Sequence, residues 1–167
     1  MNLNEVLLPE FEQEMATTKR MLNELSDDFF SFQPHEKSMT AQQLANHIAE
    51  IPTWVNGTLE QDELDFATAN LTPADFNSKQ EVIAFFEKNV EAARTSLQNT
   101  NNESMMANWS LKNGEQTYFT MPRAAVLRTM VMSHIVHHRA QLGVYLRMNN
   151  ATVPASYGRS ADDMGIM

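Results

Sequence analysis

Four stretches of this chain place apolar residues at steps of three and four, a period that amphipathic α-helices satisfy and strands do not. In the first, Leu8, Phe11, Met15, Thr18, Leu22 and Leu25 share one helical face, which predicts a helix over about 3–27. Thr40, followed three positions later by Gln43, forms a capping box and so starts a second helix. Leu44, His47, Ile48, Ile51 and Val55 carry its stripe to about residue 57, and Pro52, which lacks a backbone donor, is expected to kink or weaken it. Ser78 opens a third helix over 78–98, with the stripe Val82, Phe86, Val90, Ala93 and Leu97. A fourth, over 123–149, starts at Pro122 or Arg123, proline being well suited to a first helical position.

The connections 58–77 and 99–121 hold the turn-like NLTPADFNS, the run NTNN and Gly114, and no convincing β alternation. The expectation is therefore an all-α fold, a four-helix bundle in one domain over 1–167 with an aperiodic tail from 150 to 167. Connections of about 20 residues are long for a bundle whose successive helices are neighbours, so at least one crossover is expected. A chain of 167 residues can bury a core without staples, which suits the absence of cysteine. That absence excludes disulfides, zinc ribbons, cysteine-held clusters and a thiol nucleophile of the protein's own, and leaves His, Asp and Glu as metal ligands.

No apolar run approaches the roughly 18 residues of a membrane span, and the N-terminal segment is acidic, so the reading is a soluble, cytoplasmic protein with no membrane partner. With a net charge of −9 the chain repels a phosphate backbone, so nucleic acid is not the expected partner. Arg123, Arg128, Arg139, Arg147 and Arg159 are enriched in the last third, but they spread along a helix and its tail as an ordinary solvated face would.

Three histidines fall within MSHIVHHRAQ. His134 and His138 are four apart, one turn from each other on the inward stripe, and His47 sits on the inward stripe of the second helix. Any one of these could be a hydrogen-bonded core histidine. Three together favour a metal, because each buried imidazole needs partners for two nitrogens and an ion satisfies one on each. Three imidazoles leave positions open on Zn²⁺ or Ni²⁺, as in catalytic sites where water or substrate completes the shell.

His137 is adjacent to His138 and points about 100° away from it, so it reads as a packing or interface residue, or one that supports the ligands from outside. His35 lies in a loop and reads as solvent-exposed. Glu50, one turn beyond His47, reads as a solvated carboxylate, with proton acceptor or general base as the functional alternative. Trp54 and Tyr145 each follow a proposed ligand by seven residues and share its face, either as core or as pocket wall.

HIVHHRAQLGVYLR followed by VPASYGRSADD, together with SMTAQQLANHIAEIPTW, resembles the two signatures of the DinB/YfiT-like metalloenzyme family. The resemblance implies a bundle with up-down-down-up topology, a frequent homodimer, and a zinc or nickel ion held by His47, His134 and His138. Characterised members include S-transferases and isomerases that use a low-molecular-weight thiol such as bacillithiol, mycothiol or glutathione. The first expectation is thus a metal-dependent enzyme acting on a small molecule, with thiol S-transfer as its chemistry. A metal-dependent hydrolase, with Glu50 as proton acceptor, and a non-catalytic bundle that binds a metal or small ligand are the alternatives.

Overall fold

Thr40 and Ser78 start helices as their sequence context requires: the Thr40 side chain accepts from the Gln43 amide while Gln43 reaches back to the Thr40 amide, and the Ser78 side chain accepts from the Glu81 amide. The computed structural model describes residues 2–164. Its helices are α1 (Leu3–Asn23), α2 (Ala41–Glu50), α3 (Thr53–Glu60), α4 (Lys79–Asn99), α5 (Asn102–Met106), α6 (Arg123–Val126) and α7 (His134–Met148). The first helix is shorter than its stripe: it ends at Asn23, and a 3₁₀ turn, Asp27–Phe29, follows with Ser26 as its cap. The second splits in two at Ile51 and Pro52, so the proline breaks the helix rather than bending it.

The fourth helix is continuous in space but not in kind. Between α6 and α7, residues Leu127–Ser133 wind as a π-helix. Its far end closes on a Schellman pattern built on asparagine, with Asn150 at a φ of 56° and the Ala151 amide donating to the Leu146 carbonyl at 3.0 Å.

The expectation of an all-α chain needs correction, because the two connections carry a small three-stranded sheet. β1 (Glu63–Asp65) runs parallel to β2 (Asn108–Asn113), which pairs antiparallel with β3 (Gln116–Pro122). The hairpin turns at Gly114, whose φ of +60° suits glycine, with Asn113 paired to Gln116. In β2 the buried positions Trp109 and Leu111 alternate with more exposed ones and build, with Val126, a small second core.

The main core lies among the long helices, where Phe11, Leu22, Leu44, Ile48, Phe86, Ile135 and Leu142 are almost wholly buried. α1 packs on α4 and α7, while α2 and α3 pack on α4 and on the α7 side. The principal partners of α1 are therefore α4 and α7. The tail has no regular structure but is tied down: the Arg20 guanidinium donates to the Ala155 carbonyl, and Arg147 pairs with Asp162. No helix among the described residues is long and apolar enough to cross a membrane.

Candidate metal centre

α2 and α7 pack against each other and bring His47 to His134, 87 residues later in the chain, and to His138 one turn beyond it. The Nε2 atoms of His47 and His134 lie 3.2 Å apart, and those of His134 and His138 lie 2.9 Å apart. All three residues are half-buried, and each offers one ring nitrogen to a common point. Ligands at about 2.0–2.1 Å from a divalent ion stand roughly 3 Å from one another, so the donor set fits such an ion.

The other ring nitrogens decide what the convergent ones can do. His134 Nδ1 lies 3.3 Å from the Met130 carbonyl, an acceptor only, so this nitrogen carries the proton. His138 Nδ1 is 2.7 Å from the Gln141 side-chain oxygen and, with Gln141 in that orientation, carries its proton as well. Both Nε2 atoms then present lone pairs to each other across 2.9 Å, which repels unless a cation lies between them. This use of the far nitrogen to fix tautomer and ring orientation is the usual support of a metal-bound histidine.

Burial acts in the same direction. It lowers the pKa of His47 to about 4, with the neighbouring His138 and His134 as lesser causes. His134 and His138 are also lowered, again chiefly by desolvation. At neutral pH the three rings are thus uncharged and able to act as ligands.

Around them, His137 is exposed and its ring meets that of His138 edge-on at 4.7 Å, outside the convergent set. His35 is exposed in its loop, where its Nδ1 accepts from the Lys37 amide. His47 opens onto a cavity of about 450 Å³ that Glu50, Trp54 and Trp109 also line. Burial in that wall raises the Glu50 carboxyl. Tyr145 lies elsewhere: it is buried against Phe32, donates its hydroxyl to the Met39 carbonyl at 3.0 Å, and does not line the cavity.

Sequence reasoning passed over three contributors. Gln141 could have been found as a hydrogen-bonding residue three positions after His138. The Met130 carbonyl could not, because it belongs to the π-helical turn before His134. Trp109 sits on a strand the periodicity did not show, although Asn113-Gly114 beside it is a hairpin signal.

The DinB family model matches residues 1–165. No curated protein matches the sequence significantly. Among solved structures, the chain is similar to a DinB-like protein from Bacillus subtilis (TM-score 0.69, 20% identity, 87% of this chain and 92% of that one). It is equally similar to a DinB-like protein from Bacillus cereus (TM-score 0.69, 22% identity, 92% and 97% covered). A mycothiol-dependent maleylpyruvate isomerase shares the fold more distantly, at a TM-score of 0.51 and 13% identity, with 90% of this chain and 62% of that one covered.

Proposed function

The chain belongs to the DinB family, and on that premise we propose that it is a divalent-metal-dependent enzyme whose His47, His134 and His138 hold a zinc or nickel ion with positions open to a small-molecule substrate. The observation that carries this reading is the convergence of three uncharged Nε2 atoms, two of them aimed by hydrogen bonds at the opposite ring nitrogen. A divalent ion with an open position stabilises a bound thiolate at neutral pH and so makes a weak nucleophile reactive. The first candidate reaction is therefore S-transfer with a low-molecular-weight thiol as co-substrate. The mycothiol-dependent fold neighbour gives a reason to test thiols first.

The chain's own residues have separable roles in this scheme. Met130 and Gln141 fix the rings of His134 and His138, Trp54 walls the cavity beside His47, and His137 supports His138 from the solvent side. Glu50, with its carboxyl raised by burial, can hold a proton leaving the site. That property also favours a second reading, a hydrolase in which Glu50 takes a proton from water. The rest of the proposal is a cytoplasmic homodimer whose long helices run up-down-down-up, without nucleic-acid partners. The arginines of the last third support this last point, since Arg123, Arg128, Arg139 and Arg147 are each paired with a carboxylate.

Metal analysis of untagged protein purified without chelator tests the shared premise. About one zinc or nickel ion per chain is expected, and none in His134→Ala; only trace metal together with no uptake of added zinc or nickel overturns it. Conjugation of monochlorobimane with bacillithiol, mycothiol or glutathione then tests the transferase. Rates no faster than the protein-free control with every thiol count against it, and hydrolysis of ester or amide probes that depends on Glu50 selects the second reading.

A further inference from the structure

The cavity beside His47 is large enough, at about 450 Å³, for a drug-sized ligand. Both tryptophans of the chain lie in its wall, Trp54 from α3 and Trp109 from β2, with ring centroids 6.3 Å apart and planes inclined at 56°. Leu64, Leu71 and Pro73 extend the apolar surface. Two of the polar groups there are engaged within the protein. The Trp109 indole N–H donates to the Gly57 carbonyl at 3.2 Å, and the Thr53 hydroxyl donates to the Glu50 carbonyl at 2.8 Å. Among the described residues no lysine or arginine lines the cavity, and Glu50 is its one acid.

We propose that this cavity selects an uncharged aromatic molecule, held against Trp54 and the apolar wall with one end directed at His47. An anion would be drawn to a divalent ion at the three-histidine end, but along the wall it would lose hydration against apolar surface, find no basic side chain and approach the Glu50 carboxylate. A cation would gain the tryptophan face and Glu50, but would meet a divalent ion at the three-histidine end; this exclusion rests on the metal reading above. A neutral aromatic molecule has little hydration to lose and gains burial and ring contacts with the tryptophan.

Because both tryptophans lie at the cavity, intrinsic fluorescence reports its occupancy without any assay of turnover. The full chain, purified without chelator, is titrated with 4-nitrobenzyl alcohol, 4-nitrobenzenesulfonate and 4-nitrobenzyltrimethylammonium, with correction for their absorbance. Saturable quenching by the alcohol is expected, with both charged compounds bound at least about tenfold more weakly. Trp54→Ala should weaken the alcohol. Leu71→Lys, at a position 56% exposed and thus tolerant of change, should narrow the gap for the sulfonate. Absence of saturable quenching by the alcohol, or equal or tighter binding of either charged compound, overturns the proposal. Metal content of the same samples is measured separately: in protein that takes up no metal, preference for the alcohol over the sulfonate still supports the cavity's selectivity, while the exclusion of the cation falls with the metal reading.

Discussion

His138 and Arg139 are neighbours on α7, yet their surroundings answer opposite questions. Arg139 is only 2% exposed, and its charge is fully answered: the guanidinium pairs with Glu14 at 2.7 Å and donates to the Glu14 carbonyl, the Thr18 hydroxyl and the Tyr157 hydroxyl. Tyr157 donates in turn to Glu14 at 2.8 Å, which fastens the tail to α1 and α7. On the adjoining face His138 points its Nε2 at another imidazole nitrogen that has no proton to offer. Polar groups that close on one another hold a fold together, whereas polar groups that converge without closing are prepared for something else.

The largest expected effect comes from opening the closed cluster. Arg139→Ala leaves the Glu14 carboxylate buried without its partner and should cost about 3–5 kcal/mol in chemical denaturation; a loss below about 1 kcal/mol would mean that the cluster is less closed than its geometry indicates.

Next is the convergent cluster. Zinc at about 100 times its dissociation constant should stabilise the native chain by about 2.7 kcal/mol, and His134→Ala should lose that gain while leaving the metal-free stability little changed. If the metal-free variant falls as far as Arg139→Ala, the two regions do not differ in kind.

Tyr157→Phe removes one hydroxyl that both accepts from Arg139 and donates to Glu14, and should cost about 1 kcal/mol in the same denaturation experiment, with easier proteolysis of the tail.

The smallest effect is in pH. The three histidines have folded pKa values below their unfolded ones, so the unfolded chain binds more protons as pH falls from the ordinary histidine range toward the value of about 4 for His47. Their contribution is fully present above that window and is lost on acidification through it. His47→Gln should therefore flatten the stability of the metal-free protein between about pH 6.5 and 4, and an unchanged slope would count against burial as the cause. The half-buried state of the rings keeps this effect modest.

The helices were legible because their signals are local. The capping box at Thr40, the serine cap at Ser78 and the stripes of the core act within a few residues of themselves, and the structure keeps each of them. The sheet was not legible from periodicity. β1 is three residues long, and β3 keeps mostly exposed and half-buried side chains, so neither shows a clean alternation; only Asn113-Gly114 marked the turn. At the site, the shared face of His134 and His138 follows from helical spacing, as does the divergence of His137. Trp54 and Tyr145 had equal standing by spacing, but one lines the cavity and the other packs on Phe32, because α3 borders the cavity and the far turns of α7 face the core.

The sequence by itself determined the helical periods, the ends set by caps and prolines, the lack of a cysteine thiol of the protein's own, and the two signatures that resemble one family. Only the tertiary structure decided that His47 stands within 3.2 Å of His134, that Met130 and Gln141 hold the opposite ring nitrogens, and that Arg139 is answered by Glu14 and Tyr157. The reason is physical: period and capping act over one or two turns of a single helix. A donor set drawn from α2 and α7 exists only once the packing of those helices has fixed the distance between them.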